Sequence, residues 1–109
     1  MIVRKTVFVD KRADIELRKF PREVQLKFRA LFEILEEEGK LEEPFAKKLS
    51  GSHQLFEVRV NHQGQWRAIY AYVYGNSVAI LSAFSKKTQK TPLSELEKAN
   101  ERRKNYEQG

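Results

Sequence analysis

Residues 54–84 read QLFEVRVNHQGQWRAIYAYVYGNSVAILSAF, and the period of this run decides the fold. Apolar and polar side chains alternate from Gln54, so Phe56, Val58 and Val60 point to one face of a strand and Leu55, Glu57 and Arg59 to the other. Asn61-His62-Gln63-Gly64 is a turn. Gln65 to Tyr74 is a second strand, rich in Trp, Tyr, Ile and Val. Gly75-Asn76 is a two-residue hairpin signal, and Ser77 to Phe84 is a third strand. Three strands joined by short turns make an antiparallel meander.

Outward from the meander the period becomes helical. Val24, Phe28, Leu31 and Leu35 form one stripe with Ile34 beside it, and Glu36-Glu37-Glu38 then Gly39 close that helix. Three acids at a helix C-terminus oppose the macrodipole, so the last turn is expected to fray or to be held by Lys40. A shorter helix from Lys11, with Ala13, Leu17 and Phe20 inward, ends at Pro21, making an α-hairpin. Ahead of it, Ile2, Val3, Val7, Phe8 and Val9 form a β-rich run that stops at Asp10, a good helix N-cap. After the meander, Thr91-Pro92 opens a last helix as N-cap and first helical residue, with Leu93, Leu96 and Ala99 as its stripe and Arg102-Arg103-Lys104 at its end. The predicted class is α+β in the order β-α-α-β-β-β-α. The chain of 109 residues reads as one domain, 1–109. If the helices cover one sheet face, the other is left partly open.

That open face is where charge is expected. Of 21 basic and 15 acidic side chains, the segment Pro44–Thr91 holds seven and one, and the remaining 61 residues hold fourteen and fourteen. The whole net charge of +6 belongs to Lys47, Lys48, Arg59, Arg67, Lys86, Lys87 and Lys90, set against Glu57 alone. A strand-rich segment that collects positive charge is suited to a polyanion, nucleic acid above all.

Other chemistries are disfavoured by composition. There is no cysteine, hence no disulfide, no thiolate nucleophile and no Cys-based zinc site. His53 and His62 stand nine residues apart without partners at metal spacing, and read as solvated turn residues. No metal or other cofactor is expected. Neither a signal core nor a run of about 20 apolar residues is visible, so a cytoplasmic protein without membrane attachment is expected.

Each candidate residue has a plainer reading beside the functional one. Glu57 and Arg59 share a face and could be a local surface pair of little energetic weight. Arg67 follows Trp66, and the strand register decides whether it joins them. Lys86, Lys87 and Lys90 share one polar loop, which could be merely solvated; beside Arg59, Arg67 and Lys47-Lys48 it becomes a phosphate-binding constellation. Trp66, Tyr70, Tyr72 and Tyr74 alternate on one strand, as core residues under helices or as base-stacking rings, the first reading being favoured. Phe84, next to the basic loop, is the better candidate for an exposed stacking ring.

The runs Lys47-Lys48-Leu49-Ser50-Gly51, Leu55-Phe56-Glu57-Val58-Arg59 and Trp66-Arg67-Ala68-Ile69-Tyr70 resemble the RelE/HigB superfamily of bacterial toxins. Ala83-Phe84-Ser85-Lys86-Lys87-Thr88-Gln89-Lys90-Thr91-Pro92 and the final Arg102-Arg103-Lys104-Asn105-Tyr106 are similar to its phage-derived HigB-like branch. The resemblance implies a RelE-like fold and a toxin–antitoxin pair. It further implies metal-independent cleavage of messenger RNA by a 2′-hydroxyl, on the translating ribosome, with neutralisation by a cognate antitoxin of helix-turn-helix type. By position, it implies a catalytic role for Arg67, catalytic basic positions after the last strand at Lys86 and Lys87, and RNA contacts from Arg59 and Lys48. From the residues themselves, Glu57 is the candidate catalytic base or the acid that orients Arg59 or Arg67, and Lys47, Lys90 and Phe84 are candidate RNA contacts. Where some relatives carry a histidine or tyrosine for proton transfer, this chain has Ser82, Ala83, Phe84 and Ser85. Rival readings are a non-catalytic RNA- or ribosome-binding domain, a degenerate toxin, and a toxin directed at DNA gyrase.

Overall fold

The computed structural model describes residues 4–49 and 54–107; Ile2, Val3, Ser50, Gly51 and His53 lie outside the described residues. Its elements are β1 (Thr6–Val9), α1 (Lys11–Arg18), α2 (Arg22–Glu38), β2 (Ala46–Lys48), β3 (Phe56–Asn61), β4 (Gln65–Val73), β5 (Ser77–Ser85) and α3 (Leu93–Arg103), then a 3-10 turn over Lys104–Tyr106. The α+β class and the meander are as read from the sequence. The short β2 is an addition. Three residues with two lysines carry too little periodic signal to announce a strand.

The sheet order is β1-β5-β4-β3-β2, with β1 parallel to β5 and the other pairs antiparallel. Helices pack on both faces, and the α3 side stays partly open along the β2–β3 edge, as expected. On one side, Leu17 of α1 and Val24, Phe28, Leu31 and Leu35 of α2 pack on Val58, Val60, Ala68, Tyr70, Val78 and Ile80. On the other, Ala99 of α3 packs on Ile69, Ala71, Ala79, Leu81 and Phe84, with Leu49 and Leu55. Strand β5 carries one extra residue: Ile69 pairs with Ser82 but Tyr70 with Ile80. The bulge leaves Leu81 on the α3 side, where its carbonyl accepts a hydrogen bond from Arg102 Nη1 at 2.8 Å. Glu16 of α1 takes the Ala83 N–H (3.1 Å) and both terminal nitrogens of Arg102 (3.0 and 3.1 Å), joining α1, β5 and α3 at this point.

Helix ends follow local chemistry with two departures. Asp10 caps α1, accepting from the Arg12 N–H at 2.8 Å. Gly39 closes α2 in the left-handed conformation, φ 79°, its N–H bonded to the Leu35 carbonyl. The acidic last turn of α2 does not depend on Lys40, which pairs with Glu42. Strand β1 holds it instead: Lys5 N–H donates to the Glu36 carbonyl (2.9 Å) and Val7 N–H to its carboxylate (3.2 Å). At α3 the N-cap position is Pro92, without a side-chain cap, and Leu93 is 68% exposed instead of facing the core. The aromatic strand divides as its alternation and length require. Tyr70 is buried and Trp66 packs on the α2-side core, while Tyr74, past the end of β4, is exposed.

The chain end returns to the start of α1. Asp10 is 3% exposed, and accepts from the Tyr106 hydroxyl at 2.6 Å and from Arg12 Nη2 at 2.7 Å. Burial alone would raise its carboxyl. The hydrogen bonds from Arg12 and Tyr106 outweigh burial and hold it well below the ordinary value of 3.8. Glu16 is likewise lowered, burial being overcome by Arg102, the Ala83 N–H and Lys98. Carboxyls depressed in the folded state contribute stability that is fully present above their unfolded pKa and is lost as pH falls through the folded one. Urea unfolding should therefore show falling stability below about pH 4. Tyr106→Phe should cost about 1–3 kcal/mol at neutral pH by leaving a buried carboxylate one donor short; an unchanged midpoint would show that Asp10 does not need that donor.

Candidate nucleic-acid interface

Register settles which charged residues share a face. In β3, Glu57 stands opposite Lys47 of β2 on one side and Ile69 of β4 on the other, and Arg59 stands opposite Arg67. Directly paired residues project to the same side of a sheet, so Lys47, Glu57, Arg59 and Arg67 share one. Lys48 pairs with Phe56 and projects to the opposite side. Of the two expected lysines, only Lys47 lines the groove.

Glu57 is the centre of the group and is 1% exposed. Its Oε2 accepts the Thr91 hydroxyl at 2.6 Å. Its Oε1 lies 3.6 Å from Arg67 Nε and 3.8 Å from Lys86 Nζ. Both distances are ion-pair contacts longer than a hydrogen bond, and Arg67 Nε is buried with no hydrogen-bond partner. The rest of the Arg67 guanidinium faces away from the groove. Nη1 donates to the Trp66 carbonyl (2.9 Å) and Asn61 Oδ1 (3.3 Å), and Nη2 to Gln65 Oε1 (3.1 Å). Burial lowers Arg67 below the ordinary arginine value; Glu57 opposes that shift and Arg59 adds to it.

Above this buried layer lies an open groove of about 500 Å3, lined by Lys47, Leu49, Glu57, Arg59, Lys86, Gln89, Lys90, Thr91 and Leu96. One wall is the sheet edge, the other the basic loop leading into α3. The loop starts where Lys86 N–H donates to the Gln65 carbonyl at 2.7 Å. Among the described residues no carboxylate pairs with Lys47, Arg59 or Lys90. Four cations around one buried carboxylate attract a chain of phosphates and can hold non-bridging oxygens.

The predicted residues thus separate. Lys47, Arg59, Lys86, Lys90 and Glu57 converge on the groove. Arg67 lies beneath it, 2% exposed. Lys87 is exposed outside its lining. Phe84 is 8% exposed in the α3-side core and offers no stacking surface, because the β5 bulge turns it inward under Ala99. His62 is not a free turn residue: its Nε2 lies 3.1 Å from Glu23, away from the groove. Thr91 was missed as a groove residue, since Thr-Pro before an apolar helical stripe reads first as a helix start. The polar, basic character of the groove also leaves little for a hydrophobic small molecule.

Residues 15–104 match the family described as "Phage derived protein Gp49-like". The fold is that of RelE toxins. A mutant of the Escherichia coli toxin RelE in the free state aligns with TM-score 0.69 and 21% identity, over 91% of this chain and 97% of that one. The RelBE2 toxin–antitoxin complex of Mycobacterium tuberculosis gives TM-score 0.60 and 22% identity over 77% and 100%. The archaeal RelE–RelB complex of Pyrococcus horikoshii gives 0.56 and 26% over 74% and 93%. A comparison with curated proteins found no match. With most of its length inside the family match, the chain belongs to the family of phage-derived Gp49-like proteins, and it shares the fold of RelE toxins.

Proposed function

We propose that this toxin is a metal-independent endoribonuclease that cleaves messenger RNA on the translating ribosome in the cytoplasm, and that a cognate antitoxin of helix-turn-helix type neutralises it. The observation that carries the reading is the groove itself, in which Lys47, Arg59, Lys86 and Lys90 surround the Glu57 carboxylate. The toxin–antitoxin complexes of similar fold support the antitoxin. In the proposed reaction a ribose 2′-hydroxyl attacks the adjacent phosphorus, forming the 2′-oxygen–phosphorus bond and breaking the bond to the 5′-oxygen. Glu57 accepts the 2′-hydroxyl proton. Lys86, the ammonium beside it, stabilises the charge that develops on the phosphoryl oxygens and donates to the leaving oxygen. Arg59, Lys47 and Lys90 hold the backbone. Arg67 acts from below by holding Glu57 in place, and Lys87 attracts RNA from outside the groove.

A second reading, RNA binding without cleavage, is favoured by one observation. Tyr106 is committed to Asp10 and His62 to Glu23, so neither serves the groove as an acid or base. Both readings predict phosphate binding; only the first predicts strand scission.

Cleavage of messenger RNA programmed into ribosomes, with chelator present and a ribosome-free control, separates them. Lys86→Ala should lower the cleavage rate by about 10²–10³-fold, the usual effect of removing one donor to a developing oxyanion. Arg67→Ala should lower it as well and also cost about 3–5 kcal/mol of stability, because it leaves Glu57 short of its buried counter-ion. Wild-type protein that binds programmed ribosomes and never cuts would establish the second reading.

Affinity for a non-cleavable single-stranded RNA should fall with salt, with a log–log slope near −0.7 for each phosphate neutralised. Lys90→Ala should make that slope shallower by about 0.7 and leave the melting temperature unchanged. An unaltered slope would remove Lys90 from the phosphate track.

A further inference from the structure

Thr91 stands one residue before Pro92, the N-cap position of α3, and α3 has no side-chain cap. The Thr91 hydroxyl donates instead to Glu57 Oε2 at 2.6 Å, the shortest contact that the carboxylate makes among the described residues. Two consequences follow from this choice. One concerns the carboxylate: with Oε2 occupied by a neutral donor, Oε1 is the oxygen turned toward Arg67 Nε and Lys86 Nζ. The other concerns the loop. Its two ends are tied to the sheet, at Lys86 through the Gln65 carbonyl and at Thr91 through Glu57. Between those ties the described hydrogen bonding is local, Thr88 Oγ1 to the Lys90 carbonyl at 2.9 Å. Lys90 and Gln89 therefore face Lys47 and Arg59 across the groove only while both ends hold.

We propose that Thr91 is a positioning residue of the groove: its hydroxyl orients the Glu57 carboxylate and latches the basic loop to β3, so that loop and sheet present one continuous site for an RNA phosphodiester. The RNA part rests on the proposed function; the latch itself does not. A Thr hydroxyl suits the task because it is a neutral donor. A lysine or arginine there would bring a third cation to a carboxylate already facing two, and valine, which has nearly the same shape, has no donor at all.

The test compares Thr91→Val, which removes the donor, with Thr91→Ser, which keeps it. The first readout needs no RNA: backbone ¹⁵N relaxation of residues 86–91. Order parameters near about 0.85 in wild type should drop below about 0.6 in Thr91→Val and return in Thr91→Ser. The second readout is cleavage on programmed ribosomes. There kcat should fall about tenfold or more in Thr91→Val, with a smaller change in KM and rescue by Thr91→Ser. If wild type fails to cleave, the nuclease reading fails, and the relaxation data together with affinity for non-cleavable RNA still decide the latch. A Thr91→Val protein with wild-type loop order and wild-type RNA affinity would overturn it. So would a Thr91→Ser protein as defective as Thr91→Val. Thr91→Ala provides a second donor-free variant should the valine destabilise the fold, and it carries the same expectations.

Discussion

Two cations can lie inside this domain because one carboxylate lies with them. Arg67 and the end of Lys86 are almost wholly enclosed, and each would be costly to bury alone. Glu57 reaches both through one oxygen and takes a hydroxyl on the other. The three charges leave the group one unit positive, and that excess faces the groove. The arrangement constrains the sheet around it. Glu57 must sit at the middle of the β2-β3-β4 ladder, opposite Lys47 and Ile69, for Arg67 to approach from the neighbouring strand. A one-residue slip of β3 would send Glu57 into the α2-side core and strand both cations. The ion group therefore fixes register as well as charge.

The bulge in β5 is the second constraint. With unbroken alternation Ala83 would face α3 and Phe84 the α2 side; the bulge exchanges the two. The extra residue places Leu81 and Phe84 on the α3 side with Ala79, while Val78, Ile80 and Ala83 stay with α2. Its freed carbonyl is met by Arg102, and Glu16 closes the same corner from α1. Helix α3 covers only part of its face, and what stays open lies over β2 and β3. The cations are displaced to the rim, between the β2–β3 edge and the loop before α3, and a groove replaces a platform.

Much of this was legible in the residues. Strict alternation around Glu57 marked β3, Gly75-Asn76 marked the hairpin, and the Val24-Phe28-Leu31-Leu35 stripe marked α2, because each depends on local geometry alone. The convergence of Lys47, Arg59, Lys86 and Lys90 was legible as charge segregation. What stayed hidden depends on pairing. Strand β2 exists only because β3 offers it an edge. Phe84 joins the α3-side core only because β5 bulges, and Lys48 leaves the groove only because Lys47 faces Glu57. The burial of Arg67 has the same origin, since an arginine beside a tryptophan gives no sign in one dimension that the carboxylate of the adjoining strand will enclose it. Thr91 was hidden by a competing local meaning, the helix start, which the fold declines in favour of a bond 34 positions back along the chain.

The balance of charge also bears on how such a groove could act. One carboxylate among four cations is a good phosphate binder, but a carboxylate is by nature a weak base at neutral pH. Acid–base strength is thus the scarce resource here, and geometry is the plentiful one. Holding a 2′-hydroxyl and the adjacent phosphorus in line can supply about 7–11 kcal/mol of a barrier without any strong base. That gain requires walls that do not drift. The loop is tied at Lys86 and Thr91, the carboxylate is fixed by Thr91, and Arg67 is clamped from beneath by Asn61, Gln65 and Trp66. Under the proposed function, a ribosome that presents its message in a fixed conformation would complete the same strategy from the substrate side, supplying the positioning that a site with so little proton-transfer machinery needs.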